Sequence, residues 1–513
     1  MTQADWAPPT PPASAEFYTD GEWHRLHPAS PLLKGGIAFV AIAGVVLVNL
    51  RDSLITAFFG GPDDDGDPIG IITHSGYGWI AALGVVVLLA IFVAFFYISW
   101  RMHSFRITKE VVEVRSGVLF RTNRKGRLDR IQGINIVRPF LARIFGAARL
   151  EVNVAGQDAN VHLAYLSSSS ADELRREILR LASGTQQPSL APAVVGADGI
   201  VQQRVAELLA PELDPREAPP ESVVTMHLGR VLGSLLLSNT TVVILVIVIA
   251  LITGAFAAQL PFIIFGAFPA IIGMASFYIS KFTRSLRYTI AGTPDGIRIG
   301  FGLLSTSNET LPPGRVHAVQ VSQPLLWRIP GWWEIKINQA AKSSNKGAAG
   351  AANTTILPVG NRDEVMKVLA LVLPSFNSDE AKALLASGLR SGGSFTTSPR
   401  RAIVLRAFSW RRNGFAIADD AVLLRTGAIW RQLVVVPLAR MQSVAISVGP
   451  LRRRLRLASI RVHTVAGPVA PAIGALDAAD ARTFFDDITR AAVTSGTSDT
   501  SQRWRSHETN ETA

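Results

Sequence analysis

Residues 231–280 read VLGSLLLSNTTVVILVIVIALITGAFAAQLPFIIFGAFPAIIGMASFYIS, without one charged side chain between Arg230 and Lys281. At about 1.5 Å per helical residue, this length suffices for roughly two crossings of a ~30 Å hydrocarbon core. Thr253, Gly254, Gln259 and Pro261 fall near its middle, where two antiparallel helices need a turn. The stretch therefore predicts a hairpin of Val231–Thr253 and Leu260–Ser280. A second hairpin is predicted from Gly35–Leu50 and Tyr77–Trp100, joined by a loop that holds Asp63, Asp64, Asp65 and Asp67. Its first helix can continue past Arg51 and Asp52 through Leu54–Phe59, with that charge pair near the interface. Four crossings are expected.

Positive charge orients them. Arg25 and Lys34 precede the first helix, Arg101 and Arg106 follow the second, Arg230 precedes the third, and Lys281, Arg284 and Arg287 follow the fourth. Neither connecting loop contains Lys or Arg, so the flanks are expected on the cytoplasmic side of a plasma membrane, with both termini. The segment 1–31, with Pro8, Pro9, Pro11 and Pro12, reads as a disordered tail rather than a cleavable signal. The chain has 513 residues, no cysteine and a net charge of +12. Disulfides, thiol catalysis and cysteine-ligated metals are excluded, and the positive excess suits an anionic membrane surface better than nucleic acid.

The remaining sequence is repetitive. Arg115-Ser116-Gly117, Arg298-Ile299-Gly300 and Arg425-Thr426-Gly427 share an Arg-x-Gly pattern, followed by Arg130-Ile131-Gln132, Arg315-Val316-His317 and Arg440-Met441-Gln442. Pro139/Arg143, Pro324/Arg328 and Pro450/Arg454 come next in each copy, before an alternating strand such as Leu150-Glu151-Val152-Asn153-Val154. Each copy closes with a helix started by a polar cap, at Ser170-x-x-Glu173, Asn361-x-x-Glu364 and Asp477-x-x-Asp480. The glycines sit where hairpin turns need positive φ. Three antiparallel β domains, each closed by one helix, follow from this pattern.

Trp23-His24-Arg25-Leu26-His27-Pro28 before the first helix, together with the threefold Arg-x-Gly and Arg-Ile-Gln signatures, resembles the bacterial pleckstrin-homology (PH) domain membrane proteins of the YdbS/YdbT type. The resemblance implies an α+β membrane protein in which three cytoplasmic PH-like domains, each a bent antiparallel sheet with a C-terminal helix, accompany four transmembrane helices in two hairpins. The expected organisation is a tail 1–31, hairpin 32–100, domain 101–182, linker 183–229, hairpin 230–281, domain 282–375, linker 376–399, domain 400–492 and tail 493–513. The resemblance also implies a protein partner, with a smaller PH-domain membrane protein the natural candidate, and a setting in envelope maintenance or stress resistance.

No catalytic motif, metal set or cofactor site emerges, and the chain reads as a non-enzyme. The glycine-rich insert Lys342–Asn353 has the wrong spacing for a phosphate loop, and Asp63–Asp67 lacks the twelfth-position acid of a calcium hand. Arg115, Arg130, Arg298, Arg315, Arg425 and Arg440, with Gly117, Gly300 and Gly427, read as structural signature residues. Between Arg400 and Arg456 twelve arginines face only Asp419 and Asp420. Arg411 and Arg412, beside Phe408 and Trp410, and Arg452 and Arg453 are the candidate contacts to lipid or a protein partner. Two functions are expected: a membrane-anchored scaffold for protein interaction or, alternatively, an anionic-lipid-binding or lipid-handling protein.

Overall fold

The computed structural model describes residues 21–27, 97–108, 110–117, 121–154, 160–183, 224–257, 268–293, 296–302, 305–312, 314–340, 354–373, 378–390, 393–418 and 420–498, with isolated positions besides. Most of the first expected hairpin with its acidic loop, the insert Lys342–Asn353, most of 183–229 and the outer parts of both tails lie outside the described residues.

Among the described residues each repeat shows seven strands and a closing helix. In the first, β1 (His24–Arg25), β2 (Ser104–Ile107), β3 (Val111–Ser116) and β4 (Thr122–Arg127) form one antiparallel sheet. β5 (Ile131–Arg138), β6 (Ala147–Val154) and β7 (Val161–Ser167) begin a second sheet, with the short helix α1 (Phe140–Ile144) between β5 and β6, before α2 (Ser168–Ser183). The second repeat begins with β8 (Val224–Thr225), then α3 (Leu228–Leu236), α4 (Asn239–Ala257) and α5 (Phe268–Ser285). It continues through β9 (Thr289–Thr293), β10 (Gly296–Phe301), β11 (Thr306–Leu311), β12 (Ala318–Gln323), β13 (Trp333–Asn338), β14 (Thr355–Gly360) and α6 (Arg362–Val372). A helix α7 (Asp379–Leu389) leads to the third repeat: β15 (Thr396–Thr397), β16 (Gly414–Ala418), β17 (Ala421–Thr426), β18 (Arg431–Pro437) and β19 (Ser443–Ser447). α8 (Pro450–Arg454), β20 (Leu457–His463), β21 (Ala472–Asp477) and α9 (Ala478–Ser498) complete it.

The expected strands-then-helix order holds in all three copies, but the copies are not separate beads. β5 pairs with β11 and β12 pairs with β18, so the three-stranded half of one repeat continues into the four-stranded half of the next. Two seven-stranded sheets result, ordered β7-β6-β5-β11-β10-β9-β8 and β14-β13-β12-β18-β17-β16-β15. Side chains lock the joints: Ser307 Oγ donates to Asn135 Oδ1 at 2.7 Å, and the buried Asn338 amide donates to the Val469 carbonyl at 2.7 Å while its oxygen accepts from Val469 N at 2.9 Å. Three cores lie between these sheets and the closing helices, built on residues such as Phe105, Ile134 and Ile178; Val321, Ile335 and Leu369; and Val422, Ile460 and Phe484.

The boundaries differ from those expected. The first strand of every repeat precedes the apolar insertion rather than following it, because β1, β8 and β15 pair with β2, β9 and β16 in one shared register: His24 opposite Phe105, Val224 opposite Ile290 and Thr396 opposite Phe415. β8 therefore lies in the expected linker 183–229, and the expected linker 376–399 holds β15 and α7, whose Leu385 and Leu389 join the second repeat's core. The second hairpin also starts differently. Residues expected in its first membrane arm, Val231 and Leu235, are buried on Trp327 and Val359, and α3 bends by 48° into α4. Among the described residues no single helix is long and apolar enough to cross a membrane, although Leu228–Leu236 and Asn239–Ala255 meet that test together by length and composition.

Two local readings are corrected as well. The second repeat's turn glycine is Gly302, with φ +103°, whereas Gly300 lies inside β10 opposite Asn308. Arg115 opposite Asn123 and Arg425 opposite Leu433 are the same hairpin position as Gly300, so Arg298 is displaced by two residues from the arginine of the other copies. Of the caps, Asn361 and Glu364 form the expected box, but α2 starts three residues early, its cap being Ser167 in place of Ser170; Ser167 Oγ accepts from Ser170 N at 3.1 Å.

The signature arginines have unequal surroundings. Arg425 is only 1 % exposed: it lies 4.2 Å over the Phe395 ring, and its Nε donates to the Arg412 carbonyl at 2.9 Å. Arg115 is exposed and covers Trp23 at 4.0 Å. Arg425→Ala should therefore cost about 2–4 kcal/mol through a cavity and orphaned carbonyls, against less than about 1 kcal/mol for Arg115→Ala. Gly427→Val should also be costly, roughly 1–3 kcal/mol, since φ is +73° and a Cβ would strike the Trp430 carbonyl. Thermal unfolding of the full chain checks all three, and equal effects at Arg425 and Arg115 contradict this account.

His317 stands where the other copies have Gln132 and Gln442. Burial, then the nearby Arg440 charge, pushes its pKa from 6.5 down to about 4. The unfolded chain thus binds the proton more readily. This contribution leaves stability unaffected above pH 6.5, lowers it as pH falls from 6.5 toward 4, and adds no further slope below. His317→Gln should flatten the acid loss of melting temperature across that window, and an unchanged profile would refute the assignment.

Candidate functional site

The four candidate contacts separate once the third repeat folds. Between β15 and β16 lies the segment 398–413, which occupies the place taken in the second repeat by α3, α4 and α5. Its base is closed by Asn413, fully buried, whose amide donates to Ser398 Oγ at 2.8 Å and to the Gly474 carbonyl at 2.5 Å. A 3-10 turn, Arg400–Val404, presses Ala402 onto Leu457 and Ala475 with Leu405, Trp410 and Leu455 around them. Val404 at the end of this turn and Phe408 beyond it are largely exposed, at 69 % and 81 %. Two bulky apolar side chains are thereby held in solvent on a backbone whose own base is packed.

Arg412 does not belong to this surface. It is buried, and its guanidinium donates to the carbonyls of Arg390 at 2.5 Å and Gly388 at 3.1 Å. Desolvation first, and then the charge of Arg425, pushes its pKa down to about 9. Arg401 is likewise committed, to Asp477. Arg411 stays exposed, with its guanidinium 5.2 Å from the Trp410 ring centre.

Arg452 and Arg453 lie on α8, a helix with no buried residue, beside exposed Leu451 and Val448. Arg452 approaches a residue that the sequence did not single out, Arg406. A Cβ placed on Gly474 would lie 3.3 Å from Arg406 Nη2, 3.8 Å from Arg452 Nη2 and 3.2 Å from Ser459 Oγ. The Ser459 hydroxyl is buried without a hydrogen-bond partner. Two guanidinium groups and an unsatisfied hydroxyl thus gather beside one bare glycine, a local concentration of hydrogen-bond donors. Only the local arginine density was visible in the sequence; the convergence depends on β21 passing beneath both segments. Arg454 is exposed, unlike its counterparts: Arg143 is buried in α1, and Arg328 donates to the Ile429 carbonyl at 2.7 Å and to that of Ala428.

The equivalent ends of the other repeats are also apolar. In the second, the β12–β13 connection holds Trp327, whose Nε1 donates to the Ser234 carbonyl at 3.2 Å, and Trp332, which packs so closely on Gly233 that a Cβ there would lie 2.6 Å away. That connection therefore cradles α3 as it leads into α4, along which Val243, Leu245, Val246 and Ile249 are all more than half exposed. In the first, α1 and its C-terminal neighbour expose Phe140, Leu141, Ile144 and Phe145. Trp100 is tied to β1 by donation to the Leu26 carbonyl at 2.8 Å.

Three seven-stranded units, each a two-sheet antiparallel fold closed by a C-terminal helix, define a tandem PH-like protein. The model of the bacterial PH domain matches residues 41–182, 231–375 and 368–492, and the chain belongs to that family. The matches cover most of the insertions of the first two repeats, beginning after β1 and β8, and for the third they begin within α6 and take in α7 and β15. No curated protein matches the chain.

Phe408 and the arginines around Gly474 give the site a direct test. In nanodiscs, a polarity-sensitive fluorophore on Phe408→Cys should shift to the blue with phosphatidylglycerol relative to phosphatidylcholine. Arg406→Glu with Arg452→Glu should remove most of that difference, as should raising the salt until the screening length falls from ~8 Å toward ~3 Å. A probe that reports the same environment in both lipids rules out lipid contact at this loop.

Proposed function

We propose that the chain is a non-enzymatic scaffold of the YdbS/YdbT type, anchored in the plasma membrane by two helical hairpins and presenting its PH-like repeats to protein partners at the cytoplasmic face. One observation carries this reading: all three repeats interrupt the fold at the same point, between their first and second strands. Two of the interruptions are long and strongly apolar in sequence, and the third is a short loop with apolar tips and the exposed arginines Arg406 and Arg411. A single membrane plane passing that end of every repeat accounts for all three.

α4 supports the reading because its apolar residues are distributed around the whole helix rather than along one stripe, which suits lipid better than a protein core. Lys281 and Arg284 at the end of α5, Arg230 before the bend and Arg101 after the first hairpin would then lie at the cytoplasmic interface. Arg230 also pairs with Glu364 of the second repeat, which would fix the angle between hairpin and domain. Anionic lipid is the second ligand this site supports, through Arg406, Arg411, Arg452 and Arg453. A smaller PH-domain membrane protein is the candidate partner, and envelope maintenance or stress resistance the candidate setting.

The absence of cysteine makes the topology testable. An impermeant maleimide should label Asp64→Cys in intact cells and label Asp379→Cys, exposed at the start of α7, only after the membrane is opened. Labelling of both, or of Asp379→Cys alone, in intact cells defeats the topology.

A further inference from the structure

The two internal joints are copies of one contact. In the first, Ile134 stands opposite Thr310 and Arg138 opposite Thr306; in the second, Val319 stands opposite Val435 and Gln323 opposite Arg431. Thr306 and Arg431 each lie four residues after a turn glycine, Gly302 or Gly427, and Ile134 and Val319 each lie four residues after a signature arginine, Arg130 or Arg315. The same arithmetic locates the half-joints left at the two ends of the chain. They are residues 121–125 after Gly117, and residues 444–448 after Arg440.

Both ends are open among the described residues. β4 bonds to β3 alone and β19 to β20 alone. Thr122, Asn123, Arg124 and Lys125 are exposed, whereas their equivalent strand β11 is buried along its whole length. Ser443, Ala445 and Ser447 are exposed, with Val444 and Ile446 half-buried toward the third core. An unpaired edge is a template for another strand.

We propose that a second copy of this chain docks head to tail, β19 of one copy against β4 of the next, extending by one joint the pattern already used twice within each copy. The register copies the internal one: Val444 opposite Lys125, Ala445 opposite Arg124, Ile446 opposite Asn123, Ser447 opposite Thr122 and Val448 opposite Arg121. The occupant follows from continuity and from charge. Lys125 and Arg127 are paired with Glu113 and Asp129, but Arg124 has no acid beside it among the described residues and would set two β4 edges against each other, while β19 carries no charge, so the uncharged edge receives the basic one. Arg130, exposed at the free end, would take the place of Arg315, whose Nη2 donates to the Asp129 carbonyl at 3.3 Å across the first joint. The corresponding acceptor on the preceding copy is the Ala439 carbonyl. The contact is heterologous, so it produces an open array or a closed ring rather than a twofold dimer. It does not rest on the lipid reading of the arginine loop.

The test uses the full-length chain in its membranes. Ala445→Cys combined with Arg124→Cys in one chain should give, on mild oxidation, a ladder of disulfide-linked multimers. A mixture of the two single variants should stop at dimers. Ser443→Cys with Thr122→Cys, four residues out of the proposed register, should stay largely monomeric, since a disulfide needs Cβ atoms about 4 Å apart. Absence of multimers from the first pair, equal cross-linking by the second, or cross-linking only to a different protein overturns the proposal. Charge gives an independent reading. In light scattering of the detergent-solubilised chain, Ala445→Glu, opposite Arg124, should strengthen self-association about two- to fivefold and Ala445→Arg should weaken it comparably. Identical masses for wild type and both variants also overturn it.

Discussion

The structure depends on the backbone hydrogen bonds that cross from one repeat to the next. A strand at the edge of a sheet has half of its N–H and C=O groups directed outward, and those groups must find a partner if the edge is to be buried. Here β5 and β12 find theirs in β11 and β18, and the joints are then thick enough to bury polar residues such as Asn135, Ser307 and Asn338 with satisfied side chains. A domain cut from this chain at its sequence boundaries would lose half of a sheet. That is why the repeats are better described as three cores sharing two sheets than as three domains on linkers.

Much of this fold was legible in the sequence. The alternation in Leu150–Val154 and Ile335–Ile337, the Asn361/Glu364 capping box and the positive-φ glycines Gly117 and Gly427 each report a local preference, and local preferences survive into the structure. What was not legible is long-range. Two-residue strands such as Val224–Thr225 and Thr396–Thr397 have no periodicity to detect, and only pairing with β9 and β16 makes them strands. The Arg-x-Gly match at Arg298 was misleading because a second glycine, Gly302, lies two residues on, and motif matching cannot tell a turn glycine from one inside a strand. The candidate site was half legible. Composition exposes the arginine cluster, but composition cannot separate Arg412, directed inward to backbone carbonyls, from Arg411 on the surface.

The same contrast explains why the arginines of the third repeat serve different purposes. A guanidinium offers five donors in a plane, which makes it an efficient way to satisfy several carbonyls where a loop has to be buried. Arg412 and Arg425 do this where α7 meets the β15–β17 region, and Arg328 does it across the second joint. Arg406 and Arg452 instead converge on Gly474, where the lack of a side chain lets both guanidinium groups approach the backbone. Position in the fold, rather than residue type, decides which arginine is structural.

The insertion between the first two strands also sets the timetable of folding. β1 leaves the ribosome 81 residues before its partner, His24 against Phe105, and β8 waits 66 residues, Val224 against Ile290, whereas β15 waits only 19, Thr396 against Phe415. The joints wait longer still, since Asn135 meets Glu309 only 174 residues later. At about 5–20 residues per second, β5 spends roughly ten to thirty seconds as a bare edge during synthesis. The nascent first repeat is therefore the vulnerable species, and any factor that shields a strand edge co-translationally would act on it before the third repeat exists.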